Sequence, residues 1–173
     1  MVAPINTLEL IPADPISFVG SNWSAANNVS IPGGHAAGDL MIGYSRNGGV
    51  TTPSLPSGWT NIGNTGTFGN NVRAAYKYAT SGSESAVTFS NSSHNYVIVF
   101  RGCTKGVHAG VGVSTSWPAL SGFSTDAWLV RICLTVDSFV TPTDGPHDST
   151  SISAQTMSPA VNSFPLTLAL EPA

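Results

Sequence analysis

Residues 72–90 read VRAAYKYATSGSESAVTFS, two alternating runs on either side of a polar, glycine-containing break. Val72, Tyr76 and Tyr78 fall on one face of an extended chain, with Arg73 and Lys77 on the other. After the break, Val87 and Phe89 oppose Thr88 and Ser90. Successive side chains of a strand point to opposite faces, so a period of two with one apolar side marks a half-buried strand.

The same period recurs outward from this stretch. DLMIGYS (39–45) places Leu40, Ile42 and Tyr44 together. AWLVRICLTV (127–136) aligns Trp128, Val130, Ile132, Leu134 and Val136, and FPLTLALEP (164–172) aligns Leu166, Leu168 and Leu170. NYVIVFR (95–101) is apolar on both faces, as a central strand covered on both sides requires. Weaker strand signals lie at 16–20, 26–31, 59–63, 107–113 and 151–156. Between them stand IPGGHAAG, RNGGVTTPSLPSG, GNTGTFGNN, TSGSES and TPTDGPHD, whose glycines and prolines end strands. No window keeps apolar residues at helical spacing for three turns. Short strands separated by turns read as a sandwich or a barrel. The expectation is an all-β fold: an antiparallel two-sheet β-sandwich, jelly-roll-like, of about eight strands.

Residues 16–173 are expected to form that single domain, preceded by an extended arm over 1–15. The arm carries Pro4, Pro12 and Pro15, which resist a central strand, yet also Ile5, Leu8, Leu10 and Ile11. Four aliphatic residues need burial, either as an edge strand or against a neighbouring subunit. They are the candidate partner contacts.

Composition narrows the function classes. The 173 residues are 41% hydrophobic and only 9% charged, against a usual charged share of about 25%. A packed core is within reach, and surface polarity must come from Ser, Thr, Asn and the backbone. The net charge is −3, and the six cations, Arg46, Arg73, Lys77, Arg101, Lys105 and Arg131, are scattered. Phosphate binding needs clustered cations, so no direct nucleic acid contact is expected. No apolar run approaches the roughly 18 residues of a membrane span, and the N-terminus lacks a secretory pattern. Synthesis in a cytoplasm, no membrane contact and free thiols at Cys103 and Cys133 are expected. The N-x-S/T triplets at Asn22, Asn28 and Asn91 are then incidental.

Reactive constellations are not apparent. GYSRN and GVSTS both lack the last glycine of a nucleophile elbow. His35, His94, His108 and His147 sit in separate segments, and the nine acids form no marked pair. DGPHD (144–148) brings Asp144, His147 and Asp148 close in sequence, but Asp-Gly and Gly-Pro are ordinary turn pairs. GGHAAG and GNTGTFG precede strands rather than helices, so they are turns and not phosphate cradles. The expectation is no catalytic residue, no metal and no cofactor: the chain is not an enzyme. Trp128 belongs to the core, whereas Trp59 and Trp117 flank turns and are the candidates for stacking on a glycan.

The succession GHAAGDLMIGY (34–44), PSGWTNIGNTG (56–66), NNVRAAYKYATSGSESAVTFS (70–90) and NYVIVFRG (95–102) resembles a module of tailed-bacteriophage structural proteins. The shared elements, in order, are an A-G-D-L strand start, a P-S-G-W-T turn, Y-K-x-A and T-F-S strands, and an aromatic-Arg-Gly strand end. The resemblance implies a β-sandwich on the outer surface of a virion, either a capsid decoration (cement) protein or a fibre module, with no catalytic residues. A compact single domain suits decoration, with the major capsid protein and neighbouring copies as partners and a trimer favoured. The alternative is a phage fibre or a receptor- or glycan-binding module. The region after 103 departs from the pattern.

Overall fold

The structure, a computed structural model, describes residues 16–67, 70–111, 116–117, 119–124, 127–134, 139–140, 151–152, 155–156 and 164–173. In chain order the first strands are β1 (Ser17–Ser24), β2 (Asn28–Val29), β3 (Leu40–Asn47), β4 (Thr60–Thr67), β5 (Asn70–Tyr78), β6 (Val87–Thr88) and β7 (His94–Arg101). The later ones are β8 (Cys103–Val111), β9 (Ser116–Trp117), β10 (Leu120–Ser121), β11 (Trp128–Leu134), β12 (Phe139–Val140), β13 (Ser151–Ile152), β14 (Gln155–Thr156) and β15 (Phe164–Pro172). Among the described residues there is no helix.

The chain is all-β and antiparallel. Sheet I has five strands in the order β1-β7-β3-β5-β4, and sheet II has four in the order β12-β11-β15-β8. Sheet I is drawn wholly from residues before Gly102 and sheet II wholly from residues after it. A single residue makes the change, since β7 ends at Arg101 and β8 begins at Cys103. Gly102 has φ +80°, which a residue without a Cβ adopts at little cost. Its carbonyl accepts a 3.0 Å hydrogen bond from the Ala173 amide, tying the sheet change to the chain end.

The main core lies between the sheets. Leu40, Ile42 and Tyr44 of β3, Val72 and Ala74 of β5, and Ile98 and Phe100 of β7 meet Val130 of β11 and Leu166, Leu168 and Leu170 of β15. Each large apolar side chain taken out of water here stabilises the fold by about 1.5–3 kcal/mol. A second cluster covers the other face of sheet I. Met41, Ala75, Val97 and Val99 pack beneath Val29, Val87, Trp59 and Phe89. The middle strands are therefore buried on both faces, which is why 95–101 shows no polar side. A third, smaller cluster backs sheet II, with Phe123 and Ala127 on Ala169.

Two details differ from simple readings of the sequence. The runs of 72–90 do not pair with each other: β5 lies between β3 and β4, and β6 crosses to β2 in the outer layer. GNTGTFG is not all turn, because β4 continues through Gly63 and Gly66 to Thr67. An edge strand tolerates glycine, and the register shift between Asn61 and Gly63 adds a bulge that absorbs it.

Candidate functional site

The A-G-D-L start of β3, the Y-K-x-A end of β5 and the Arg101 end of β7 meet in space. Asp39, at the start of β3, is 3% exposed and takes a bidentate grip from Arg101 at the end of β7. Arg101 Nε donates to Oδ1 at 2.9 Å and Nη2 to Oδ2 at 2.7 Å. The Ala36 amide adds 2.8 Å to Oδ2, and Arg101 also donates to the Gly34 carbonyl. Burial works to raise the Asp39 carboxyl, but these hydrogen bonds and the guanidinium charge prevail and hold it below its ordinary range. The Gly38 amide donates to Ala79 and the Ala79 amide to Asp39, both at 2.8 Å, so A-G-D-L and Y-K-x-A are clamped together.

His35 bridges the same loops. Its Nδ1 lies 2.7 Å from the Pro32 carbonyl, and the Glu84 amide donates to its Nε2 at 3.0 Å. A carbonyl only accepts and an amide N–H only donates, which fixes the neutral tautomer with the proton on Nδ1. The Glu84 carboxylate receives Lys77 Nζ at 2.7 Å and both the amide and hydroxyl of Thr80. Lys77 first, then Thr80, holds the Glu84 carboxyl down at about 2.

An open groove of about 290 Å³ borders this loop, lined by Ile31, Met41, Trp59, Lys77, Glu84 and Val87 among others. Its acid and base neutralise each other, and a carboxyl near 2 is a poor proton carrier at neutral pH. Trp59 sits in its wall at 9% exposure, packed edge-on against Phe89 at 6.2 Å. That burial leaves little of the indole face for a sugar. Gly43 lies directly beneath: a Cβ there would come 2.6 Å from Phe89 Cζ and 3.0 Å from Trp59 Cζ3.

Among the described residues, the most exposed aromatic surface lies elsewhere, on β1. Trp23 is 65% exposed and Phe18 45% exposed. Trp23 stacks on Tyr96 at 6.5 Å, and Phe18 meets Phe100 edge-on at 6.0 Å. Phe100 in turn contacts Trp128 of sheet II at 6.4 Å, so this aromatic row continues from the core. Positions 18 and 23 differ by an odd number and would point to opposite faces in a regular strand. A bulge between Phe18 and Gly20 inserts one residue, and Phe18 opposite Phe100 and Trp23 opposite Tyr96 share the inner face. β1 is the edge of sheet I, and residues 16–24, ISFVGSNWS, carry no charge. Natural edge strands usually bear Lys, Pro or inward charges that block further pairing. This edge has none of these side chains, but its bulge between Phe18 and Gly20 is itself a feature that turns an edge away from further pairing.

The sequence reading did not single out this edge, because the bulge breaks the alternation that would have revealed it. Of the residues it did single out, Trp59 is in the groove wall, and Trp117 falls in β9 with its side chain outside the described residues. Ile5, Leu8, Leu10 and Ile11, and the cluster Asp144, His147 and Asp148, also lie outside them. Cys103 carries a free, buried thiol, which burial and then the charge of Asp39 push up to about 12. Among the described residues, no three His, Cys, Asp or Glu side chains gather in a metal-binding group. No protein-family model matches the chain, and no curated protein or solved structure matches it either.

Proposed function

We propose that the chain is a structural protein of a bacteriophage particle, coating the outer surface of the capsid. In this reading it binds the major capsid protein and neighbouring copies of itself, with a trimer as the favoured unit, after synthesis in the host cytoplasm. The observation that carries the reading is the uncharged, aromatic β1 edge of sheet I. Docking through such an edge buries few charges, and unpaired buried charges are what make contacts costly. The mutual packing of the resemblance segments supports it as well. Asp39 with Arg101, and Trp59 with Gly43 and Phe89, brace the sandwich and leave the described groove with a neutralised ion pair.

Immunogold labelling of particles from a lysate that encodes the chain tests this. Label spread over the capsid faces is the expected result. Label confined to the tail points to the fibre alternative, and bare particles overturn both. The receptor- or glycan-binding alternative draws on the exposed Trp23 face, and a glycan array with the purified protein decides it. Silence at high protein concentration removes it.

A further inference from the structure

We infer that His35 is a proton-sensitive latch: taking up a proton at Nε2 unfastens the 79–86 loop from the 30–39 loop beside the open groove. Such a latch is independent of where the chain sits on a particle and of what it binds there.

Two loops meet at this ring. Residues 30–39 connect β2 to β3, and residues 79–86 connect β5 to β6. Their backbones are in close contact, since a Cβ on Gly82 would come 3.1 Å from the His35 carbonyl oxygen. The Nδ1 proton is committed to the Pro32 carbonyl at 2.7 Å, and Nε2 accepts from the Glu84 amide at 3.0 Å. A second proton can enter only at Nε2, where it would face the Glu84 N–H, donor against donor. Proton uptake and the Glu84 hydrogen bond are therefore mutually exclusive. The ring is only half-buried, so a proton from water can reach it.

The groups around the ring leave it as the one that changes. Asp39 is held below its ordinary range, partly by the charge that His35 carries when protonated, and Glu84 is held at about 2. Both stay ionised in mild acid, and acidification leaves the cations of Arg101 and Lys77 as they are. Residues 16–24, which include β1, carry no charge, and the Cys103 thiol at the start of β8, pushed up to about 12, stays neutral. Between about pH 8 and 5, where imidazoles titrate, His35 is thus the group whose charge changes here among the described residues. The Asp39 carboxylate attracts that proton but is already gripped by Arg101 and the Ala36 amide. The Glu84 carboxylate is likewise engaged by Lys77 and Thr80. An imidazolium satisfies Nε2 only by turning toward water, which releases the Glu84 amide. The Lys77 and Thr80 bonds persist, as do the 2.8 Å backbone bonds joining Gly38 and Asp39 to Ala79, so the loop loosens without unfolding. Glu84, Ser85 and Ala86 line the groove, and its wall loosens with them.

Amide hydrogen exchange and long-range proton–nitrogen NMR on the full chain test the latch. At about pH 8 the His35 ring is expected as the Nδ1-protonated tautomer, and at about pH 5 as the imidazolium. Losing one hydrogen bond should lower the protection factor of the Glu84 amide about three- to tenfold across that range. Protection of the Ala79 and Phe89 amides, bonded to Asp39 and Asn27, should not change. In His35→Gln, which cannot take up a proton, the response of the Glu84 amide to pH should disappear. A neutral ring protonated at Nε2, or a ring still neutral at the acid end, overturns the latch. A protonated ring beside an unchanged Glu84 amide overturns it too, as does a response that survives in His35→Gln. Equal loss at all three amides marks global opening and refutes a local device. The tautomer and exchange readings come from the unaltered protein, so they decide the matter even where His35→Gln fails to fold.

Discussion

Gly43→Ala adds one methyl at the most crowded point of the outer layer, and its cost can be worked from the geometry. The new Cβ would lie 2.6 Å from Phe89 Cζ and 3.0 Å from Trp59 Cζ3. Carbon pairs sit best at about 3.5–4.0 Å, so Phe89 must retreat by roughly an ångström. Phe89 is fully buried and Trp59 nearly so, and neither ring is a flexible tail that can swing aside. Overpacking of this kind costs about 1–3 kcal/mol. Replacing a strand glycine by alanine returns about 0.5–1 kcal/mol of backbone entropy. The net expectation is a destabilisation of about 1–2 kcal/mol, read as a lower urea midpoint at unchanged slope. Phe89→Leu removes the clashing Cζ, so the double variant should lose less than the two single losses added together, by about 1 kcal/mol. A Gly43→Ala protein as stable as the wild type, or strictly additive losses in the double variant, would refute this account of the layer.

Gly102→Ala should cost about 1–2 kcal/mol, because a Cβ resists the left-handed φ at the only residue between the two sheets; an unchanged melting temperature contradicts the hinge. The Glu84 carboxyl is held at about 2 in the folded protein against an ordinary 4.5. The unfolded state therefore takes up the proton first, and the stability Glu84 contributes is whole above 4.5 and lost as pH falls toward about 2. The stability gap between wild type and Glu84→Gln should close over that window, and parallel pH curves would count against the Lys77–Glu84 pairing. In a Cys133→Ser background, the Cys103 thiol should ignore a thiol reagent at pH 8 and react fully in denaturant, since its folded value is about 12. Rapid labelling of the folded protein would show that Cys103 is not buried.

Much of the fold was legible because strand signals are local. Leu40, Ile42 and Tyr44, or Leu166, Leu168 and Leu170, announce an inner face by spacing alone, and all six reach the main core. The doubly apolar run 95–101 likewise announced an interior strand, and β7 lies between β1 and β3. The candidate surface was far less legible. Trp59 follows a turn, a place where exposed residues are common, yet it is closed over by Phe89, thirty positions on. Phe18 and Trp23 fall out of phase in the sequence and in phase in the sheet.

By itself, the sequence determined that strands form, which of their faces are apolar and where they break, because each depends on neighbours within a few positions. Only the tertiary structure decided which strands pair, that Asp39 meets Arg101 across 62 positions, and that one bulge turns two aromatic rings to the same side. The reason is that pairing and register are set by contacts between distant segments. A slip of one residue reverses every side chain beyond it, while leaving the local pattern of the chain unchanged.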